Sequence, residues 1–281
     1  MTRIDRRALF TSGAAAALLA ATGAGLADTP RRGGVLRLAV PREADLMQHV
    51  LRGAVLDGLT EIGADGVLRP ELAQQWTSSD DARVWQFDLR SDVAFHDGSP
   101  LTAEVAVAAL LDRGDHLPTL QHMEATADHS LRLELSQSNP QLPYLLGDAA
   151  FQITQPGIWP EQTASLVGTG CYQVERVRPG RDFKLARVAN HYKETQAGWV
   201  DSVELIVISD PLVRAEALRD GYVDVAALPA AEGLLSRGHF FFHPSATNMA
   251  LAARPDVGVP RDIGAQSALD DGRIAERWWR V

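Results

Sequence analysis

Residues Arg83 to Arg113 read RVWQFDLRSDVAFHDGSPLTAEVAVAALLDR, and two periodicities meet inside that stretch. Trp85, Phe87 and Leu89 alternate with Gln86, Asp88 and Arg90, the period-two pattern of a strand with one buried face. Val93 and Phe95 add a short apolar pair before His96-Asp97-Gly98-Ser99-Pro100, whose Asp-Gly and Pro suit a tight turn. Thr102 is placed to accept a backbone N–H as a helix N-cap, Glu104 favours the positive end of that helix, and Val105, Ala109 and Leu110, with Leu111 beside them, are expected to line one side. The stretch therefore predicts strand, turn, helix. His96 and Asp97 meet the folding needs of the turn by themselves, so they need no catalytic role.

Outward from this unit the same reasoning finds more strands. Val35, Leu36, Leu38 and Val40 follow Gly33-Gly34 and stop at Pro41-Arg42-Glu43. Asp65-Gly66 between short apolar pairs predicts a hairpin. Leu131, Leu133 and Leu135 predict a strand that pairs with one through Met123 to Thr126 across Asp128-His129, and Leu142 to Leu146 predicts a short helix. Phe183 to Val188 predicts another strand. Val203, Leu205 and Val207 alternate with Ile206 and Ile208, so their strand is expected to be covered on both faces. Asp210-Pro211 caps a helix through Arg219, Gly221 ends it, and Val223 to Ala226 starts the next strand, which makes a β-α-β unit and a mixed sheet.

Composition narrows the function. The chain has 281 residues, 46% hydrophobic and 22% charged, a globular balance. Its formal charge is −9, and without Met1 to Ala27 it has 24 basic against 35 acidic residues, which argues against a nucleic-acid partner. Cys171 is the single cysteine, so no internal disulfide and no cysteine zinc cage is expected. His239 and His243 would share a strand face but lie roughly 13 Å apart, too far for one metal ion. No Gly-x-Ser-x-Gly elbow and no His-Glu-x-x-His helix occurs, and no enzyme activity or cofactor is expected.

Taken together, the quoted stretch resembles family 5 of the extracellular solute-binding proteins of ABC importers, the peptide, opine and nickel binders. The family carries a similar Trp-x-Phe-x-Leu strand followed by Phe-His-Asp-Gly-x-Pro-Leu-Thr-Ala-Glu. Further matches run in the same order from Gly33 to Asp256. They are the Gly33-Gly34 opening, Asp57-Gly58-Leu59 with Pro70 to Trp76, Val167-Gly168-Thr169-Gly170-Cys171-Tyr172 (similar to the family's Gly-Thr-Gly-Pro-Tyr loop, with Cys171 at the proline position), Asn190-His191-Tyr192, and the Asp210 to Asp224 segment. A phosphate-loop reading of Gly168 to Gly170 fails on spacing.

The resemblance implies an α/β, class II periplasmic-binding-protein-like lobe, a mixed β-sheet flanked by helices, with the second lobe largely missing. The domain expectation is a twin-arginine-type signal peptide at 1–27, carried by Arg6-Arg7-Ala8-Leu9-Phe10, lobe I at 28–256, and a tail at 257–281 with a return helix of Ile274, Trp278 and Trp279. A soluble periplasmic protein follows, with a small peptide-like solute and the ABC permease subunits of the inner membrane as partners. A second copy pairing as a homodimer would supply an opposite wall, because small-ligand sites bury about 70–90% of the ligand surface. The candidate ligand-binding residues are Arg42 and Glu43 after the first strand, Thr169, Gly170 and Cys171 in the glycine loop, and Asn248 where the family chain leaves lobe I. The alternative function is a single-lobe interaction or regulatory protein that kept the scaffold and no longer captures solute.

Overall fold

The computed structural model describes residues 30–42, 44–113, 116–117, 119–155, 166–229, 240–244, 249–260 and 272–281. The expected signal segment at 1–27, Glu43, His239 and Asn248 lie outside them.

β1 (Val35–Val40) leads into α1 (Ala44–Val55), whose Met47, Val50, Leu51, Ala54 and Val55 are buried at helical spacing, one apolar stripe turned to the core. β2 (Thr60–Ile62) and β3 (Leu68–Pro70) form the expected hairpin, and Gly66 takes the positive φ of 78° that its turn needs. β4 (Ala73–Ser78) and β5 (Val84–Leu89) pair antiparallel, and α2 (Ala103–Leu111) follows with the Thr102 hydroxyl accepting the Val105 N–H. β6 (Leu120–Ala127) and β7 (Ser130–Leu135) complete a four-stranded sheet in the order β4-β5-β7-β6, with Met123 opposite Leu133. α3 (Leu142–Leu145) closes this half of the fold. Its core holds Trp85, Phe87, Leu89, Leu110, Leu131, Leu133 and Phe151. Trp76 is half-buried against it, its ring 6.2 Å from that of Phe87.

The face of α2 differs from the expected one. Ala103, Ala106, Ala109 and Leu110 are buried, Val105 is half-buried and Leu111 is 49% exposed. The cap at Thr102 fixes the phase of the helix, and that phase turns the alanine stripe toward the sheet.

β8 (Tyr172–Arg178), β9 (Asp182–Arg187), β10 (Ser202–Val207), α4 (Pro211–Arg219) and β11 (Val225–Pro229) follow. The Asp210 carboxylate caps α4 by accepting the Leu212 N–H, and Gly221 has φ 80° just past its end. β12 (Phe241–Pro244) and β13 (Met249–Ala253) finish a seven-stranded mixed sheet in the order β12-β13-β11-β1-β10-β9-β8. The β-α-β unit of β10, α4 and β11 brackets β1, which runs parallel to both. Both faces of β10 are covered: Val203 and Leu205 join the core under α1, whereas Ile206 and Ile208 pack into a smaller core under α4.

β14 (Val257–Gly258), α5 (Ile274–Arg277) and β15 (Trp279–Arg280) end the chain. The expected return helix is one turn long. Ile274, Ala275 and Trp278 enter the larger core while β15 pairs with β14. Among the described residues no helix is long and apolar enough to cross a bilayer.

Candidate functional site

Arg42 stands exposed one residue beyond Pro41, past the carboxyl end of β1. The glycine loop lies elsewhere, folded against the end of α1. The Gly170 N–H donates to the Val55 carbonyl at 2.9 Å, and a Cβ on Gly168 would sit 2.0 Å from that same oxygen. Thr169 is 1% exposed, and its hydroxyl donates to the Asp57 carboxylate at 3.0 Å. Cys171 is 2% exposed, with Sγ 3.4 Å from His191 Nδ1. Thr169, Gly170 and Cys171 therefore face the interior, apart from Arg42. The glycines are required by close backbone approach within the fold.

The same loop explains the His96 turn. Gly168 N–H points at His96 Nδ1 at 3.4 Å, His96 Nε2 lies 2.9 Å from the Gly170 carbonyl, and the His96 N–H donates to the Gly168 carbonyl at 2.9 Å. The two motifs quoted from distant parts of the sequence thus clasp each other. Burial lowers the His96 pKa, in keeping with a neutral ring that accepts at one nitrogen and donates at the other. Asp97 accepts from the Ser99 N–H, the Gln155 amide and the Ser99 hydroxyl, which together hold its pKa down at about 2.

Behind the loop is a buried cluster of charge. Asp57 comes from the link after α1, Glu61 from β2, Glu71 from the step between β3 and β4, His191 and Lys193 from the turns after β9, and Arg273, Glu276 and Arg277 from the 272–281 segment. Lys193 Nζ reaches Glu276 at 2.8 Å, Glu61 at 3.0 Å and Asp57 at 3.8 Å, and it is bonded to Glu71 as well. Arg273 donates to both oxygens of Glu71 at 2.6 and 3.0 Å and to Glu276 at 2.9 Å. The Gly58 N–H adds a 2.7 Å bond to Glu71. Arg277 bridges Glu61 at 2.6 Å and the Ile62 carbonyl at 2.8 Å. His191 Nε2 lies 2.7 Å from the Thr169 carbonyl, which makes that nitrogen the donor.

Burial and partners pull these groups in opposite directions. For Asp57, burial opposes ionisation, but Lys193, His191 and Arg273 outweigh it and hold the carboxyl below the usual range. Glu61 behaves likewise: burial is overcome by Lys193, Arg273 and Arg277. Glu71 goes the other way. Burial, reinforced by the neighbouring Asp57 and Glu61 charges, beats Arg273 and Lys193 and pushes its pKa up to about 7. His191 is raised because Asp57 and the Thr169 carbonyl more than offset burial.

Glu61, Glu71 and Glu276 bring oxygens within 4.8 Å of one another, a spacing that suits a cation. The protein supplies that cation itself, since Lys193 Nζ contacts all three carboxylates. A cavity of about 330 Å³ opens beside the cluster, walled by Glu61, Asp65, Arg69, Lys193, Glu276 and Arg277. The sequence reading missed this cluster. Lys193 is one of only two lysines, and Arg273 and Glu276 stand three apart, but nothing local marks them as buried.

The seven-stranded sheet with its flanking helices and the four-stranded body beside it define a periplasmic-binding-protein lobe. The model of the bacterial extracellular solute-binding proteins, family 5 Middle, matches residues 67–237, more than half of the chain, and the protein belongs to that family. The nickel-binding periplasmic protein of Escherichia coli is 29% identical over 203 residues, which covers 67% of this chain and 38% of the relative. A probable peptide ABC transporter periplasmic-binding protein of Sinorhizobium fredii is 27% identical over 262 residues, 80% of this chain and 49% of the relative. The fold is similar to that of the ABC transporter-associated periplasmic binding protein DppA from Helicobacter pylori in complex with peptide STSA, with TM-score 0.67 and 19% identity over 77% of this chain and 52% of that one. The chain spans about half, or less, of the length of these relatives.

Proposed function

We propose that the protein is the periplasmic solute-binding component of an ABC importer and that it binds peptides or similar small solutes without changing them. Family membership and the peptide and nickel binders among its relatives support a binding role. The observation that carries the reading is the parallel trio β11-β1-β10, because ligands of open α/β sheets collect beyond the carboxyl ends of such strands. Arg42 stands at that end, exposed, and offers charge pairing and hydrogen bonds to an anionic group of a solute. Glu43 and Asn248, outside the described residues, are proposed as further solute contacts. Thr169, Gly170 and Cys171 contribute from behind, by fixing the end of α1.

Calorimetry on the protein with peptide, opine and nickel-chelate panels tests this. A saturable heat with one class, weakened at least tenfold by Arg42→Ala with unchanged thermal stability, is the expected result. The absence of binding to every panel overturns the solute-capture reading. Export is tested separately: a reporter fused behind residues 1–27 should reach the periplasm and lose that ability when Arg6 and Arg7 both become lysine.

A further inference from the structure

A second concave surface lies at one end of the four-stranded sheet. A groove of about 670 Å³ opens there between the start of β4, the end of β5 and the turn that joins β6 to β7, and its polar walls are Gln74, Gln75, Asp88, Asp128, His129 and Ser130. Small-molecule sites span about 300–1,000 Å³, so the size suits one. Two register breaks build it. Ala73 is opposite Leu89 and Gln75 opposite Asp88, so Gln74 is an extra residue on β4. Thr126 is likewise extra on β6, between Ala125 opposite Leu131 and Ala127 opposite Ser130. Neighbours in a regular strand point to opposite faces, yet Gln74 and Gln75 line the same groove. Bulges of this kind re-aim side chains and recur beside active sites. Backbone bonds fix the turn: the Leu89 N–H donates to the His129 carbonyl at 2.7 Å and the Ala103 N–H to the Asp128 carbonyl at 2.8 Å.

The hydrogen bonds inside the groove consume its donors. Gln75 Nε2 donates to one Asp88 oxygen at 2.8 Å, the Ser130 hydroxyl donates to the other, and Gln74 Nε2 donates to the Leu89 carbonyl at 3.3 Å. Gln86 Nε2 donates to the Ser130 and Thr126 hydroxyls at 2.7 and 3.1 Å. What is left over is rich in acceptors: the amide oxygens of Gln74 and Gln75, the further lone pairs of Asp88, and the Asp128 carboxylate. His129 Nδ1 is buried and has no hydrogen-bond partner among the described residues. No lysine or arginine stands in the walls. Arg90, next to Leu89, is engaged elsewhere: its Nε donates to the Glu71 carbonyl at 2.7 Å, and its guanidinium lies 4.7 Å from the centre of the Tyr192 ring. Arg132, the next rung of β7, pairs with Glu134 at 2.8 Å and stands opposite Glu124, so it does not offset the two aspartates. We propose that this groove binds a small cationic solute whose ammonium or guanidinium groups donate to Asp88, Asp128 and the glutamine oxygens. Such charge-assisted bonds are the strong ones, and a donor-rich cation is what an acidic, acceptor-rich wall selects. The site is separate from the carboxyl ends of β11, β1 and β10, where solute capture is assigned above.

Calorimetry on the full chain tests the groove, with L-argininamide, a dication, set against N-acetyl-L-citrullinamide, a neutral analogue of similar shape. The titrations run at about 0.1 M salt, where exposed charges more than about 10 Å apart are largely screened. The expected result is saturable binding of argininamide and at least tenfold weaker binding of the analogue. Asp88→Asn and Asp128→Asn together should weaken argininamide at least tenfold. Glu216→Gln, an exposed position on α4 of the other sheet, should leave the affinity unchanged. No saturable heat, or equal binding of the neutral analogue, overturns the proposal on the wild-type chain alone, whether or not the variants fold. Full affinity in the double variant places the cation elsewhere and also overturns it. So does an equal loss in Glu216→Gln, which would show general attraction to an acidic chain. Solute capture at the strand ends is read by Arg42→Ala, so either reading can fail while the other stands.

Discussion

Glu71 and Arg273, 202 positions apart in the chain, hold each other through two charge-assisted hydrogen bonds of 2.6 and 3.0 Å at a place where Glu71 has no exposed surface. The pair ties the step between β3 and β4 to the segment that leads into α5. Removing one partner of a buried pair leaves the other charge stranded, which typically costs about 3–5 kcal/mol. Arg273→Ala should therefore lower unfolding stability by an amount of that order in urea denaturation. Arg273→Lys keeps the charge but loses the two-pronged geometry and should fall between wild type and Arg273→Ala. Equal stability of Arg273→Ala and wild type would show that the pair does not form.

The same cluster sets the pH dependence of global stability. Glu71 has its folded pKa raised to about 7, so its contribution is fully present below its unfolded value of 4.5 and is lost as pH rises toward 7. His191 is also raised, so its contribution is present below 6.5 and disappears as pH climbs through the higher folded value. Asp57 and Glu61 are lowered, so theirs is present above their unfolded values of 3.8 and 4.5 and is lost as pH falls through the acid range. Stability should peak in weakly acidic solution and decline on both sides. Denaturation midpoints across the pH range check this, and Glu71→Gln should flatten the limb between pH 4.5 and 7. A midpoint that rises steadily from weak acid to pH 8 would contradict the assignment.

Most strands were legible because their apolar residues alternate, as in Trp85-Phe87-Leu89 and Leu131-Leu133-Leu135, and both helix caps at Thr102 and Asp210 hold as the sequence suggests. The helix from Ala44 to Val55 went unpredicted although Met47, Val50, Leu51, Ala54 and Val55 recur at helical spacing, a pattern the sequence carried. The site was harder to see than the fold. Thr169 to Cys171 were singled out for their glycines, yet those glycines serve contact with α1. The charges that matter come from five separated stretches, and pairing between residues such as Glu71 and Arg273 leaves no local pattern.

Gly168 tests whether the loop is structural. An added Cβ would meet the Val55 carbonyl oxygen at 2.0 Å and its carbon at 2.9 Å, and backbone at the end of a packed helix yields little. Gly168→Ala should cost at least the 1–3 kcal/mol, roughly, of ordinary overpacking. Gly180 has nothing within 4 Å of such a Cβ and a φ of 68°, so Gly180→Ala should cost only about 1 kcal/mol of backbone strain. Thermal melts of the two variants rank them. The reverse ranking would mean that the loop does not press on α1.

Cys171 occupies the position where the resemblance expects proline, and its chemistry follows from where it sits. It is 2% exposed, burial is the first cause of a thiol pKa well above the usual 9.0, and the Glu276 carboxylate adds to it. His191 Nδ1, 3.4 Å away, also lies 3.2 Å from the Lys193 N–H, so it is already engaged as an acceptor and serves poorly as a base for the thiol. A thiol needs its thiolate form and access to react, and Cys171 lacks both. In the native protein at mildly alkaline pH a disulfide reagent should therefore leave Cys171 unmodified over hours, and it should titrate one thiol within seconds after denaturation. If the native protein reacted at the rate of a free thiol, the loop would have to open far more often than its contacts with Val55, Asp57 and His191 allow.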